Sequence, residues 1–293
     1  MAIPFDRNFD VPAGERIALS PLIARVLAPN PGPFTFKGTG VYIVGIDEVA
    51  VIDPGPAIPE HIEALRRAIG GRRVSHILVT HTHSDHSPAA APLKAWSGAK
   101  TYAFGPHGSG LEDGVKMEEG GDRDFEPDMR VKDGDVLEGK GFTVECVYTP
   151  GHTSNHMCFG LKQEQALFSG DHVMGWSTTV VTPPDGDMAQ YMASLRKLRA
   201  RADRILYPTH GGPIRDPAPF LDAYIAHRLE REAQILAAIR DGLSTIPEMV
   251  ARMYADVDKR LHPAASRSVL AHLIQLEDEG RVANNAGLYS LTR

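Results

Sequence analysis

Thr80-His81-Thr82-His83-Ser84-Asp85-His86 places three imidazoles and a carboxylate within six positions, directly after the apolar run Ile77-Leu78-Val79. Neutral imidazole and carboxylate are the donors that borderline and hard divalent metals prefer. A strand ending at Val79 or Thr80 would deliver the cluster onto a tight loop at a sheet edge. His81 and His83, two apart, would share a face of extended backbone. One ion takes at most four protein ligands, and a catalytic ion keeps a position open. Four candidate ligands in so short a span therefore suggest two metals.

The remaining donors each follow an apolar run of their own. Phe142–Tyr148 alternates like a strand and ends in Thr149-Pro150-Gly151-His152. Ala166-Leu167-Phe168-Ser169 runs into Gly170-Asp171, and Arg204-Ile205-Leu206-Tyr207 into Pro208-Thr209-His210. Strand ends are rigid platforms, so a site assembled from several is preorganised. The inventory is five histidines (81, 83, 86, 152 and 210) and two aspartates (85 and 171). That suffices for a dinuclear centre. Four ordered motifs weigh against polar loop residues scattered by chance, and against one isolated structural zinc.

The ordered set His81-x-His83-x-Asp85-His86, His152, Asp171 and His210 resembles the metallo-β-lactamase superfamily of hydrolases. The resemblance implies an α+β fold, a four-layer αββα sandwich with the metals at one rim. It would place His81, His83 and His152 on a first metal and Asp85, His86 and His210 on a second, with Asp171 bridging. Asp53, in the turn Asp53-Pro54-Gly55, would brace the metal loop by hydrogen bonds. Lactamases of this fold generally lack an aspartate at the position of Asp171. The arrangement is instead typical of thioesterases, phosphodiesterases and related hydrolases.

The chain divides into a hydrolase domain over 1–215, a connecting helix over 216–242 and a small C-terminal domain over 243–293. In the first, Gly40–Gly45 and Glu48–Asp53 read as a hairpin, and Pro59–Ile69 as an amphipathic helix closed by Gly70-Gly71. His61 on that helix reads as a surface residue. The acidic stretch from Leu111 to Asp128 reads as a solvated, mobile loop. From Asp216, apolar residues recur at helical spacing up to Gly242. Ser244-Thr245-Ile246-Pro247-Glu248 is a helix-start signal, and Val269, Leu270, Leu273, Ile274 and Leu276 make a second stripe. Two short strands around Asn-Asn-Ala-Gly end the chain. Helix, helix and hairpin look like a winged helix. A winged helix behind this hydrolase domain resembles the β-lactamase-like protein 2 group, whose best-known members cut single-stranded RNA. Trp176-Ser177-Thr178-Thr179 and the run Tyr224–Glu232 belong to that likeness. The group commonly has Gly-Thr-Asn where this chain has Gly38-Thr39-Gly40, and Gly-His-Gly where it has Thr209-His210-Gly211.

Composition, with 42% hydrophobic and 23% charged residues over 293, is that of a globular protein. No apolar run approaches the ~18 residues of a membrane span. The start has charges where a signal peptide carries its apolar core, so the expected compartment is the cytoplasm. Cys146 and Cys158 read as buried reduced thiols. The net charge of −6 sits poorly with nucleic acid. In the tail Arg252, Lys259, Arg260, Arg267, Arg281 and Arg293 are matched by Glu248, Asp256, Asp258, Glu277, Asp278 and Glu279. Packing or homo-oligomerisation is as open to it as nucleic-acid reading.

The expected cofactor is two divalent metal ions per chain, zinc by preference. Two zinc ions about 3.5–4 Å apart can hold a bridging water and lower its pKa to around 7. The resulting hydroxide would attack a phosphorus or a carbonyl carbon, with Asp85 orienting it. A leaving oxygen of high pKa needs an acid, for which His172 is a candidate, although a structural histidine beside the aspartate is the favoured reading; Ser177, Thr178 and Thr179 could contact substrate, or the Thr-Thr pair could simply enter a strand. His107 and His156 read as structural or surface residues. The first expectation is a hydrolase of phosphodiesters, either small molecules or single-stranded RNA. The alternatives are a thioester hydrolase of the hydroxyacylglutathione type and an inactive winged-helix binding protein.

Overall fold

The computed structural model describes residues 3–111, 120–256 and 258–292. Glu112, Asp113, Glu118 and Glu119 of the acidic stretch, and Arg293 of the tail's charge tally, lie outside them.

Two sheets form because short apolar strands alternate and each carries large side chains on both faces. The first has seven strands in chain order: β1 (Arg16–Ala18), β2 (Ile23–Leu27), β3 (Gly40–Gly45), β4 (Glu48–Ile52), β5 (Arg73–Leu78), β6 (Lys100–Ala103) and β7 (Met129–Arg130). It is antiparallel as far as β4 and parallel from β4 onward. The second has five strands: β8 (Val136–Gly139), β9 (Phe142–Tyr148), β10 (Met157–Leu161), β11 (Ala166–Gly170) and β12 (Ile205–Pro208). Only β11 and β12 pair in parallel.

Period-two alternation sorts the layers. Tyr42, Val44, Ala50 and Ile52 turn inward to meet Val144, Cys146, Phe159 and Phe168 of the second sheet. Their neighbours Val41, Ile43, Val49 and Val51 turn outward onto α1 (Pro59–Ile69) and α2 (Ala90–Ser97). On the far side Val147, Cys158 and Leu167 meet α3 (Met188–Arg199) and α4 (Pro217–Arg240). The result is the expected αββα sandwich.

Helix α4 is more than a connector. Phe220, Leu221 and Tyr224 belong to the outer core of the sandwich, whereas Ile235, Ala238 and Ile239 belong to a separate core. That second core is closed by α5 (Ile246–Met253), α6 (His262–Asp278) and the hairpin of β13 (Val282–Asn285) and β14 (Leu288–Leu291). Glu248 accepts from the backbone N–H of Ser244 and Thr245, at 3.1 and 2.9 Å, so the predicted helix start holds. This is a winged helix.

Several expectations change. His61 is buried, and its ring lies 2.8 Å from the Pro54 carbonyl, bracing the turn after Asp53. The sequence reads Arg267 as the start of the recognition helix, but α6 begins at His262 and Arg267 stands in its second turn. Asn284 and Asn285 are still in β13, and the two-residue turn is Ala286-Gly287, both with positive φ. The acidic stretch is not merely solvated: Asp122 accepts from Ser87 Oγ at 2.6 Å, and Asp128 accepts from Thr101 and Lys94.

Candidate metal centre

Every candidate ligand lies just beyond the C-terminal end of a strand, on one rim of the sandwich. The loop after β5 carries His81, His83, Asp85 and His86; the turns after β9, β11 and β12 carry His152, Asp171 and His210. The donors converge in overlapping groups. His83 Nδ1 lies 2.9 Å from His81 Nε2 and 3.2 Å from His152 Nε2. Tetrahedral metal–nitrogen bonds of about 2.0–2.1 Å would hold their donors roughly 3.3 Å apart, so the spacing fits one ion. In the second group Asp85 Oδ2 lies 3.2 Å from His210 Nε2 and 3.4 Å from His86 Nε2. Asp171 Oδ2 stands between them, 3.3 Å from His210, 3.6 Å from His86 and 4.0 Å from His152. His86 Nε2 and Asp171 Oδ1 are buried without a hydrogen-bond partner. Orphaned donors of this chemistry, aimed at one another, fit a cation.

The far sides of four candidate ligands are fixed. His152 Nδ1 donates to the Val180 carbonyl at 2.6 Å and His210 Nδ1 to the Gly38 carbonyl at 3.2 Å, which turns each Nε2 toward the centre of the cluster. His86 Nδ1 donates to Asp53 at 3.0 Å. Asp53 also accepts from the Thr80 N–H (2.7 Å), the Thr80 hydroxyl (2.8 Å) and the Thr209 hydroxyl (3.1 Å). Its bracing role is thus as expected. Thr39 Oγ1 donates to Asp85 at 2.9 Å.

Two departures from the group's pattern lie side by side here. Thr209, where the group has glycine, supplies a donor to Asp53. Gly40, where the group has asparagine, lies against the Thr209 carbonyl, and a Cβ there would sit 2.9 Å from it.

Charge and burial oppose each other across the site. Burial, with neighbouring His86, His83 and His152, holds His81 well below the ordinary imidazole range, so it is neutral and ready to ligate. Burial also works against protonation of His210, but Asp171 and Asp85 outweigh it and carry it up to about 10. Burial works against ionisation of Asp85 as well, yet His86 and His210 bring its carboxyl down. The aspartates thus draw positive charge toward the rim.

Other expected residues fall elsewhere. His172 points into the core, fully buried, with neither ring nitrogen hydrogen-bonded, and burial pushes it down to about 3. It cannot hand a proton to a substrate. Thr179 is buried, and its hydroxyl lies 2.7 Å from the Asp171 carbonyl, so it shapes the ligand loop. Ser177 is half-buried, its hydroxyl turned to the Thr178 carbonyl. His156 is structural: its Nε2 accepts the Asp171 N–H at 3.3 Å. His107 reaches Thr82 Oγ1 at 2.9 Å. Cys146 and Cys158 are buried and unbridged. Sequence reasoning missed Asn155, whose side chain lies 2.9 Å from Thr82 Oγ1 and 3.3 Å from the Gly105 carbonyl, tying two rim loops together. Its only sequence signal was its place three residues after His152.

Fold and site together define a hydrolase of the metallo-β-lactamase fold. The chain belongs to the metallo-β-lactamase superfamily, whose family model matches residues 35–210, and a β-lactamase-associated winged-helix domain matches residues 245–289. It is 31% identical over 284 residues to an atrochrysone carboxyl ACP thioesterase of Cryptosporiopsis sp., covering 90% of this chain and 82% of the relative. It is 32% identical over 273 residues to a β-lactamase-like protein 2 homolog of Caenorhabditis elegans, covering 91% and 88%. A metallo-β-lactamase family protein of Thermus thermophilus superposes with a TM-score of 0.76 at 24% identity, over 94% of this chain and all of that one. A Burkholderia ambifaria β-lactamase domain protein superposes at 0.79 and 19%, over 98% and 97%.

Proposed function

We propose that the chain is a dinuclear, zinc-dependent thioester hydrolase. His81, His83 and His152 would hold one ion, Asp85, His86 and His210 the other, and Asp171 both. Bound divalent ions would supply a water acidified to around neutral pH and polarise the acyl carbonyl. The protein's own part is positioning: Thr39 steadies Asp85, Asp53 steadies His86, and the Val180 and Gly38 carbonyls fix two imidazoles.

The observation that carries the thioester reading is the burial of His172. A thiolate leaves without help at neutral pH, whereas an alkoxide leaving a phosphodiester needs a proton or a metal ion to take up its charge. The candidate acid is sealed in the core. Relatives alignable over both domains and named as acyl-carrier thioesterases support the same reading.

A second reading, hydrolysis of single-stranded RNA, rests on the winged helix. Its outer face argues against it. Arg267 shares the exposed side of α6 with Ile274, Glu277 and Asp278, and Arg281 is paired with Glu232 and Glu279 at 2.6 and 2.9 Å. That surface offers phosphates little.

The test is a panel on zinc-loaded protein: an acyl-pantetheine thioester, a glutathione thioester, a small phosphodiester and single-stranded RNA. We expect kcat/KM on the pantetheine thioester to exceed that on the phosphodiester by about a hundredfold or more. Faster turnover of RNA or phosphodiester would replace this reading with the second.

A further inference from the structure

Tyr224 and Arg228 stand one turn apart on α4, and both reach the loop that follows β11. The Tyr224 hydroxyl accepts the Met174 N–H at 3.1 Å and lies 2.8 Å from the Met174 carbonyl and 2.7 Å from that of Ser177. Arg228 Nη2 donates to the Thr179 carbonyl, and its guanidinium lies 5.0 Å over the Tyr191 ring. The Thr179 hydroxyl in turn reaches the carbonyls of Asp171 and His172, at 2.7 and 3.1 Å. Tyr191 Oη donates to the His172 carbonyl at 2.9 Å. The backbone from 171 to 179 is thus held by side chains at its carbonyls. This segment bears Asp171 and ends beside Val180, whose carbonyl seats His152.

Arg228 is only 3% exposed, and among the described residues no carboxylate pairs with it. Its Nε is buried without a partner. A buried guanidinium without a carboxylate partner is costly, and a Met or Leu would fill the same space without that desolvation. Packing alone therefore does not account for an arginine here. The C-terminal domain closes over the place, because Ala271 of α6 joins the core that holds Tyr191 and Tyr224.

We propose that Arg228 and Tyr224 are positioning residues, which set the Asp171 carboxylate and the His152 imidazole for metal binding from a helix outside the rim. This rests on the metal reading above, and not on the identity of the substrate. Partners of metal ligands typically govern ion affinity by 10–100-fold, and these residues act one step further out, so the lower end is expected.

Arg228→Met keeps the volume and removes the donor. Titration of the full chain with cobalt(II), followed by its visible absorption, reads ion binding apart from turnover. The expected result is about tenfold weaker uptake of the ions that Asp171 and His152 would hold, an altered absorption band, and a matching fall in kcat with KM within about twofold. Arg228→Lys, which keeps the charge and one donor, should recover part of the loss. Unchanged cobalt affinity and spectrum overturn the proposal, whether or not the melting temperature of the metal-free variant falls. Should the Met variant not fold, Tyr224→Phe removes a single hydroxyl and carries the expectation at about threefold, with unchanged affinity again the overturning result. Wild-type protein that takes up no cobalt overturns the metal reading and this proposal with it. Wild type that binds cobalt beside an unaffected variant overturns this one alone.

Discussion

Asp53 shows how much of the centre depends on a residue that ligates nothing. It is buried, adopts a positive φ of 47°, and accepts hydrogen bonds from two threonine hydroxyls, a backbone N–H and His86. Asp53→Ala would leave those donors buried without an acceptor. It should cost roughly 2–4 kcal/mol in chemical denaturation and weaken ion uptake at least about tenfold. Asp85→Ala is expected to behave differently. Asp85 lies on a loop above a formed sheet, so the metal-free variant should melt within a few degrees of wild type while thioester turnover is lost. Near-normal rates with that variant would refute the ligand assignment. The convergence of the seven candidate donors was legible, because imidazole and carboxylate repeated at strand ends have few other uses. His61 and Asn155 were not, since what they brace lies across a turn or on another loop.

At the scale of elements, the terminal hairpin and α6 carry the informative strain and packing. Ala286 holds φ 52° in a two-residue turn that favours Asn or Gly at its first position. Ala286→Gly should relieve about 1 kcal/mol, seen as a rise in the melting midpoint of roughly 2 °C. Leu273 is fully buried in the C-terminal core, so Leu273→Ala should cost about 2–5 kcal/mol. A loss under about 1 kcal/mol would mean that this core is loosely packed. Elements read from periodicity matched closely: Phe142–Tyr148, read from alternation, is β9 end to end, and Pro59–Ile69, read from helical spacing, is α1. The start of α6 did not, because His262-Pro263 reads as a loop until the 3₁₀ turn Lys259–Leu261 leads the chain into it.

For the whole molecule, the question is what the C-terminal domain adds. Among the described residues no helix is long and apolar enough to cross a membrane. Removing residues 243–293 would strip Ile235, Ala238 and Ile239 of their core and uncover the α3 and α4 surface under Ala271. The truncated chain should therefore lose activity on a small thioester, a phosphodiester and RNA by similar factors. A selective loss on RNA, with a flattened salt dependence, would instead mark the domain as a nucleic-acid reader. Much was decided by sequence alone: which imidazoles and carboxylates gather at one rim, that they sit at strand ends, and that a winged helix follows. Those are local properties, carried by donor chemistry, alternation with period two and turn residues. Only the tertiary structure decided that His172 is sealed from substrate, that His61 is buried, and that α4 belongs to two cores. Burial and hydrogen-bond partnership depend on what packs from distant parts of the chain. Arg228 is the clearest case: in sequence it is one more charge on a long helix, and in the fold it is buried against the loop that bears Asp171.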